Sequence, residues 1–276
     1  LSVKIEESNS VNIRPYQYFS RGYTEEKSFI LVNFLGFSHN YYKHTIDDNR
    51  NEVEMVTSTF GEAVNLKGYL HPYQKNIKDQ ILSSLRNPGT RLMVQMPTGA
   101  GKTFTALETA VDILRRPFQT NFVVWIVHRN ELAEQAMSSF SELWKTKGDR
   151  PLNLFRWFSR FSPDFRNYPE GGIVFATYDL FSSVLGNIDD KRRPSLLHLV
   201  NRAEYLIVDE AHSSIADTYE QCVSAFVNTD MTQIVGLTAT PFRNEPNEGE
   251  ALTRLYSGNL IKMKDPEGER SEEHTS

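Results

Sequence analysis

Six consecutive residues, Thr98-Gly99-Ala100-Gly101-Lys102-Thr103, have the types and spacing that hold a chain of phosphates. Glycines let the backbone turn tightly and bring its N–H groups against a ligand, and the lysine after them reaches the β- and γ-phosphates as a point charge. The hydroxyl of Thr103 suits the magnesium ion such phosphates carry. A second pair, Asp209-Glu210, ends the apolar run that starts at Tyr205. One carboxylate of such a pair sits beside a phosphate-bound magnesium, and the other orients or deprotonates a water. Neighbouring carboxylates in a cleft repel, and a metal's charge keeps both ionised. Lys102, Asp209 and Glu210 are therefore candidate catalytic residues, and Thr103 and Asp209 candidate metal ligands.

Such chemistry needs a strand before the glycine turn and a helix directly after it. The free N–H groups of the first helical turn and the positive end of the helix dipole then face the phosphates. Apolar Arg91–Gln95 and the helix-like run Phe104–Arg115 stand in those places. One letter departs from G-x-x-x-x-G-K-[ST]: Met96 occupies the first glycine position, which makes small GTPases and nucleotide kinases poor matches.

Other segments bring polar residues to strand ends. Asn121–Val127 is continuously apolar, as a parallel strand covered on both faces should be. It leads to Arg129, at the carboxyl end where ligands gather in open α/β sheets; the side chain either touches a phosphate or pairs with a nearby carboxylate. Gly171–Thr177 reads as another strand and puts Thr177 at its end. Gln233–Pro241 ends in Thr238 and Thr240, which either pass hydrogen bonds from the carboxylate strand to whatever binds above the sheet or serve as turn residues before Pro241. Upstream, Ile77, Ile81, Leu82 and Leu85 recur at helical spacing, and Pro72 suits the first helical turn. That places Gln74 at the helix start, either as a cap or with its amide reading adenine as donor and acceptor together. Leu154–Phe161 alternates arginines with aromatics and reads as a sheet strand in preference to a single-strand stacking platform.

The 276 residues, 39% hydrophobic and 24% charged, have the composition of an ordinary soluble protein. No run of 18 apolar residues exists to cross a membrane, and the partners expected include none. One cysteine, Cys222, excludes a disulfide framework and fits a reducing cytoplasm. A net charge of −5 argues against a broad nucleic-acid-binding face, so any polyanion must use a local groove. Residues 1–62 read as a small β-rich appendage with a buried strand at Phe29–Leu35, and the aromatic-basic run Tyr41–His44 there reads as packed surface in preference to a nucleic-acid contact. Residues 63–269 form the main domain. The last seven residues, 270–276, resemble the translation of a sequencing adapter, or are a polar disordered tail, and are set aside. The expectation is a chain that begins and ends inside a longer protein.

Together these stretches resemble the first motor domain of superfamily 2 helicases and translocases. His71-Pro-Tyr-Gln74 is similar to the adenine-sensing glutamine motif, with histidine where many relatives carry arginine. Pro97–Thr103 resembles motif I, Ile126–Leu132 motif Ia, Phe175–Tyr178 motif Ib, Asp209-Glu-Ala-His212 the DEAH form of motif II, and Leu237–Pro241 motif III. The Gly-Leu-Thr-Ala-Thr-Pro-Phe-Arg form is closer to restriction-enzyme motors and DNA-repair helicases than to RNA-acting DEAD-box proteins. The resemblance implies an α/β fold, a RecA-like P-loop NTPase domain with a central parallel sheet flanked by helices. It implies ATP and Mg2+ at the strand ends, with Gln74, Thr98 to Thr103 and His212 around the nucleotide. It implies a nucleic-acid backbone, DNA before RNA, against Arg129 and Thr177, and coupling through Thr238 and Thr240. A second RecA-like domain supplying arginine fingers is also implied. Two other expectations stand beside the helicase: the motor subunit of a restriction or defence nuclease complex, and a nucleotide-dependent switch that does not translocate.

Overall fold

The structure, a computed structural model, describes residues 50–58, 70–116, 121–211, 217–227, 231–239 and 255–263. The expected strand Phe29–Leu35, the run Tyr41–His44, His212, Thr240 and Pro241 lie outside the described residues. The chain divides into two compact units, Leu1–Asn51 and Glu52–Ser276. The second unit carries every element below.

Eight strands form one sheet among the described residues: β1 (Val53–Val56), β2 (Arg91–Gln95), β3 (Phe122–Val127), β4 (Leu152–Trp157), β5 (Gly172–Thr177), β6 (Ala203–Val208), β7 (Gln233–Thr238) and β8 (Leu260–Lys262). Their order is β1-β4-β5-β3-β6-β7-β2-β8. Every pairing is parallel except the β1–β4 edge, which is antiparallel. β1 lies within the stretch read from sequence as an appendage, and here it borders the sheet of the second unit.

Helices connect the strands: α1 (Pro72–Ser84), α2 (Lys102–Leu114), α3 (Asn130–Lys147), α4 (Tyr178–Gly186), α5 (Arg193–Arg202) and α6 (Asp217–Val227). A parallel neighbour cannot be reached by a tight turn, so most crossovers carry such a helix, while β4 and β5 are joined by residues 158–171 with only a 3-10 turn at Phe165–Asn167. Both sheet faces are covered, and for this reason β3, β5 and β7 are buried along their whole length. Period-two alternation sorts each strand between the two cores. Val123, Trp125 and Val127 of β3 join Ile77 and Ile81 of α1, Leu107 and Val111 of α2, and Met137 and Phe140 of α3. Phe122, Val124 and Ile126 join Phe181 of α4, Leu199 of α5 and Val223 of α6. The layering is helix, sheet, helix.

Of the run Leu154–Phe161, the part as far as Trp157 is strand, and Phe158–Phe161 lies beyond the strand's end. Leu154, Phe155 and Trp157 are buried in β4, so they offer no stacking surface. Arg156, 4% exposed, is held from both flanks: its Nε and Nη2 donate to the two carboxylate oxygens of Glu134 on α3 at 3.1 and 3.0 Å, and Nη2 also meets Glu54 Oε1 of β1 at 3.2 Å. A charged group inside a sheet requires such partners.

Candidate nucleotide and magnesium site

β2 ends at Gln95, and the N–H of Met96 donates to Thr238 O on the neighbouring β7 at 3.0 Å. That bond fixes where the strand stops and the loop begins. Within the loop Ala100 N–H closes a turn onto Pro97 O at 3.1 Å. Gly99 and Gly101 have φ of +81° and +75°, in the left-handed region where a Cβ is penalised. Gly101 caps α2, and its carbonyl accepts from Thr105 N–H and Oγ1 at 2.9 and 3.0 Å. Lys102 and Thr103 thus open the helix, as the letters required.

The carboxylate strand arrives from the other side of β7. In sheet order β6, β7 and β2 are neighbours, all parallel, so their carboxyl ends share one edge. The segment after β6 is pinned twice: Asp209 N–H donates to Ile126 O at 3.0 Å, and Ala211 N–H to Leu237 O at 2.8 Å. Between these anchors Glu210 adopts φ of +55°, and its N–H returns to Asp209 Oδ1 at 2.9 Å. A non-glycine residue in that conformation costs about 1–2 kcal/mol, held here by the two flanking bonds.

Loop and carboxylates meet. Lys102 Nζ lies 2.9 Å from Glu210 Oε1, and Thr103 Oγ1 donates to Asp209 Oδ2 at 2.9 Å. Lys102 and Asp209 are 8% and 7% exposed, while Glu210 reaches 34%. Burial pushes the Asp209 carboxyl above its ordinary range, against the Thr103 hydrogen bond and the Lys102 charge, which pull it down. An oxygen-only pair of hydroxyl and carboxylate, with a charge too buried to be solvated, suits a hard cation. Among the described residues no group of three His, Cys, Asp or Glu is placed to hold a metal ion, and magnesium held by one carboxylate plus phosphates needs none.

The remaining candidates divide. Arg129 is exposed and stands one residue before α3. Thr177, 4% exposed, ends β5 and pairs in register with Val127 of β3, so Arg129 and Thr177 leave adjacent strands at the carboxyl edge. Thr238 is fully buried at the end of β7, opposite Gln95. Gln74 lies against the loop itself. Its Nε2 donates to Ala100 O at 3.0 Å, and its Oε1 accepts from His71 N–H at 2.9 Å. Sequence reasoning missed this brace, and also Tyr256, whose ring covers Gly236 of β7 so closely that a Cβ there would collide with it. Neither contact has a local signal, because each joins residues far apart in the chain.

Comparison with known proteins bears on the family and the fold. The family described as type III restriction enzyme, res subunit, matches residues 67–243. The ATP-dependent DNA helicase Hel308 of Aeropyrum pernix is 35% identical over 180 residues, which cover 63% of this chain and 21% of that protein. The chain therefore spans about a fifth of that relative's length. The crystal structure of the Pyrococcus furiosus Hef helicase domain superposes with a TM-score of 0.51 at 17% identity, covering 70% of this chain and 38% of that one. That of the UvsW helicase from bacteriophage T4 gives 0.51 at 14%, covering 86% and 77%. With a RecA-like domain of the kind found in helicases and with most of its length matched, the chain belongs to the type III restriction enzyme res-subunit family, within the superfamily 2 helicases.

Proposed function

We propose that the pocket binds ATP with magnesium, that Glu210 orients or deprotonates the attacking water, and that the chain is the first half of a DNA helicase or translocase motor. The observation that carries this reading is the double contact of Lys102 with Glu210 and Thr103 with Asp209, which brings the phosphate loop and the acidic pair into one pocket. When ATP enters, Lys102 turns from Glu210 to the phosphate oxygens, and Glu210 is left to accept a proton from water. Thr103 and Asp209 would hold the magnesium, which supplies positive charge against the phosphates. The loop N–H groups and the start of α2 stabilise negative charge there without reorganising.

Arg129 and Thr177 would meet a nucleic-acid backbone at the same edge, and the name of the Aeropyrum relative favours DNA. The chain's negative balance restricts such a contact to this edge. A second RecA-like domain would complete the track and supply the arginine finger, a group worth about 10³–10⁵ in turnover. The chain alone should then bind MgATP and hydrolyse it slowly. A titration with fluorescent ATP analogue, followed by phosphate release with and without DNA, tests both parts. Lack of MgATP binding refutes the site; fast, DNA-stimulated hydrolysis by these 276 residues refutes the missing half. The res-subunit description of the family favours, as a second reading, a motor serving a larger nuclease assembly. A cytoplasmic setting belongs to the proposal and is supported by the single thiol, buried and free.

A further inference from the structure

α2 packs between α1 and α3 on one face of the sheet and is buried along most of its length. Ala106, Leu107, Ala110 and Val111 suit that place, and Glu108 does not. Its carboxylate is 1% exposed and is held by a lysine from each flanking helix. Lys147 of α3 donates to Oε1, and Lys78 Nζ of α1 stands 3.6 Å from Oε2. Lys78 Nζ also meets Asp112 Oδ2, one turn further along α2, at 2.8 Å.

The nucleotide-site reading gives these charges no use. A buried ion pair is a poor source of stability, since apolar side chains of similar volume in its place are often neutral or better. What charges add is register. An apolar contact lets one helix slide along another, whereas Lys78, set between two carboxylates a turn apart, resists the slide.

The face of α1 fixed in this way is the face that carries Gln74. Gln74 precedes Lys78 by four residues, so the two lie on the same side of the helix. As Lys78 lies against Glu108, Gln74 lies against the loop that opens the same α2. Its Nε2 is 3.0 Å from Ala100 O and fills the space beside Gly101. Bracing the loop and turning to a base both depend on where α1 holds this amide.

We propose that Glu108 is a positioning residue of the nucleotide site: through Lys78 it fixes α1 on α2 and so sets Gln74 against the phosphate loop. It acts from about two helical turns beyond the loop and through another residue. This rests on the nucleotide-site reading above. An ion pair that only stabilised the fold would leave affinity alone while the chain stays folded; a positioning pair weakens binding through Gln74.

Titration of the full chain with a fluorescent ATP analogue and magnesium, beside thermal melts showing each variant folded at the assay temperature, tests the proposal. Glu108→Gln keeps the shape and removes the charge. Glu108→Gln and Gln74→Ala should each lose about tenfold in affinity, and the double variant should also lose only about tenfold, because the second change removes what the first has displaced. Lys78→Leu should reproduce the loss, and Lys147→Leu, which unties α3 and not α1, should bind like the parent. Each lysine variant strips Glu108 of one partner, so a role in stability alone would treat them alike. If Glu108→Gln does not fold, Lys78→Leu with Gln74→Ala completes the same cycle. Losses that multiply to about a hundredfold in the double variant overturn the proposal. So does a folded Glu108→Gln that binds as tightly as the parent, or a Lys147→Leu that loses as much as Lys78→Leu. A parent chain that does not bind the analogue overturns the nucleotide site itself, and the part of Glu108 with it.

Discussion

Lys102→Ala separates what the ammonium does for the fold from what it does for the ligand. Its partner Glu210 is 34% exposed, so water takes over when the charge is removed, and an ion pair of this kind contributes about 0–1 kcal/mol. Lost packing of the buried lysine stem adds a comparable amount. In a unit of this size about 1 kcal/mol moves the midpoint by roughly 2–4 °C, so Tm should fall by less than about 8 °C. Toward the ligand the scale differs. A unit charge about 4 Å from a phosphate, at an effective dielectric near 20, is worth about 4 kcal/mol, or roughly a thousandfold in affinity. Giving up Glu210 offsets about 1 kcal/mol of this, leaving a loss of roughly 10²–10³-fold. A fluorescent-nucleotide titration beside a thermal melt measures both. A loss under about tenfold with the fold intact would refute the assignment of Lys102 to the phosphates. A drop of more than about 15 °C would instead make it a structural lysine.

Two further outcomes concern the scaffold. Arg156→Ala takes the guanidinium from Glu134 and breaks the tie to β1, and should cost about 3–5 kcal/mol, read as a fall of roughly 6–20 °C in Tm; a shift within about 2 °C would show that the buried cluster contributes nothing. Burial, with Asp179 nearby, pushes the Cys222 thiol up to about 12, and burial likewise pushes Tyr205 up to about 12. Both groups are neutral when protonated and are held protonated by the fold. The stability they contribute is whole below their unfolded values of 9.0 and 10.0 and drains away as pH rises toward about 12. The urea midpoint should fall between about pH 9 and 11, less steeply in Cys222→Ala, and a thiol reagent should react only once the chain unfolds. A flat midpoint would contradict the reasoning.

The placement of the candidate site was legible because it is local. Thr98 to Thr103 needs only a strand before it and a helix after it, and both are written in the adjoining letters. Asp209-Glu210 follows its apolar strand in the same way. What the letters could not give is whatever two distant segments decide together. Gln74 reads as a cap or a base reader, and its contact with Ala100 depends on how α1 lies over the loop. The alternation of Arg156 with aromatics fits a nucleic-acid platform as well as a strand, until Glu134 and Glu54 arrive from α3 and β1. Glu210's left-handed φ has no signal in its residue type, since it is imposed by strands on either side.

Those strands also bear on coupling. β7 lies between β2, which feeds the phosphate loop, and β6, which feeds the acidic pair. Two backbone bonds tie its end to both: Met96 N–H to Thr238 O, and Ala211 N–H to Leu237 O. With Gly236 under Tyr256, the strand has no slack on its helical face either. If Lys102 turns toward a phosphate as proposed, the shift on either side of β7 would meet consecutive residues of one strand. Interfaces packed this tightly move between discrete arrangements instead of deforming gradually. On the proposed nucleotide reading, the backbone at Leu237 and Thr238, bonded to both the loop and the segment after β6, would give Thr238 a part in coupling through its main chain.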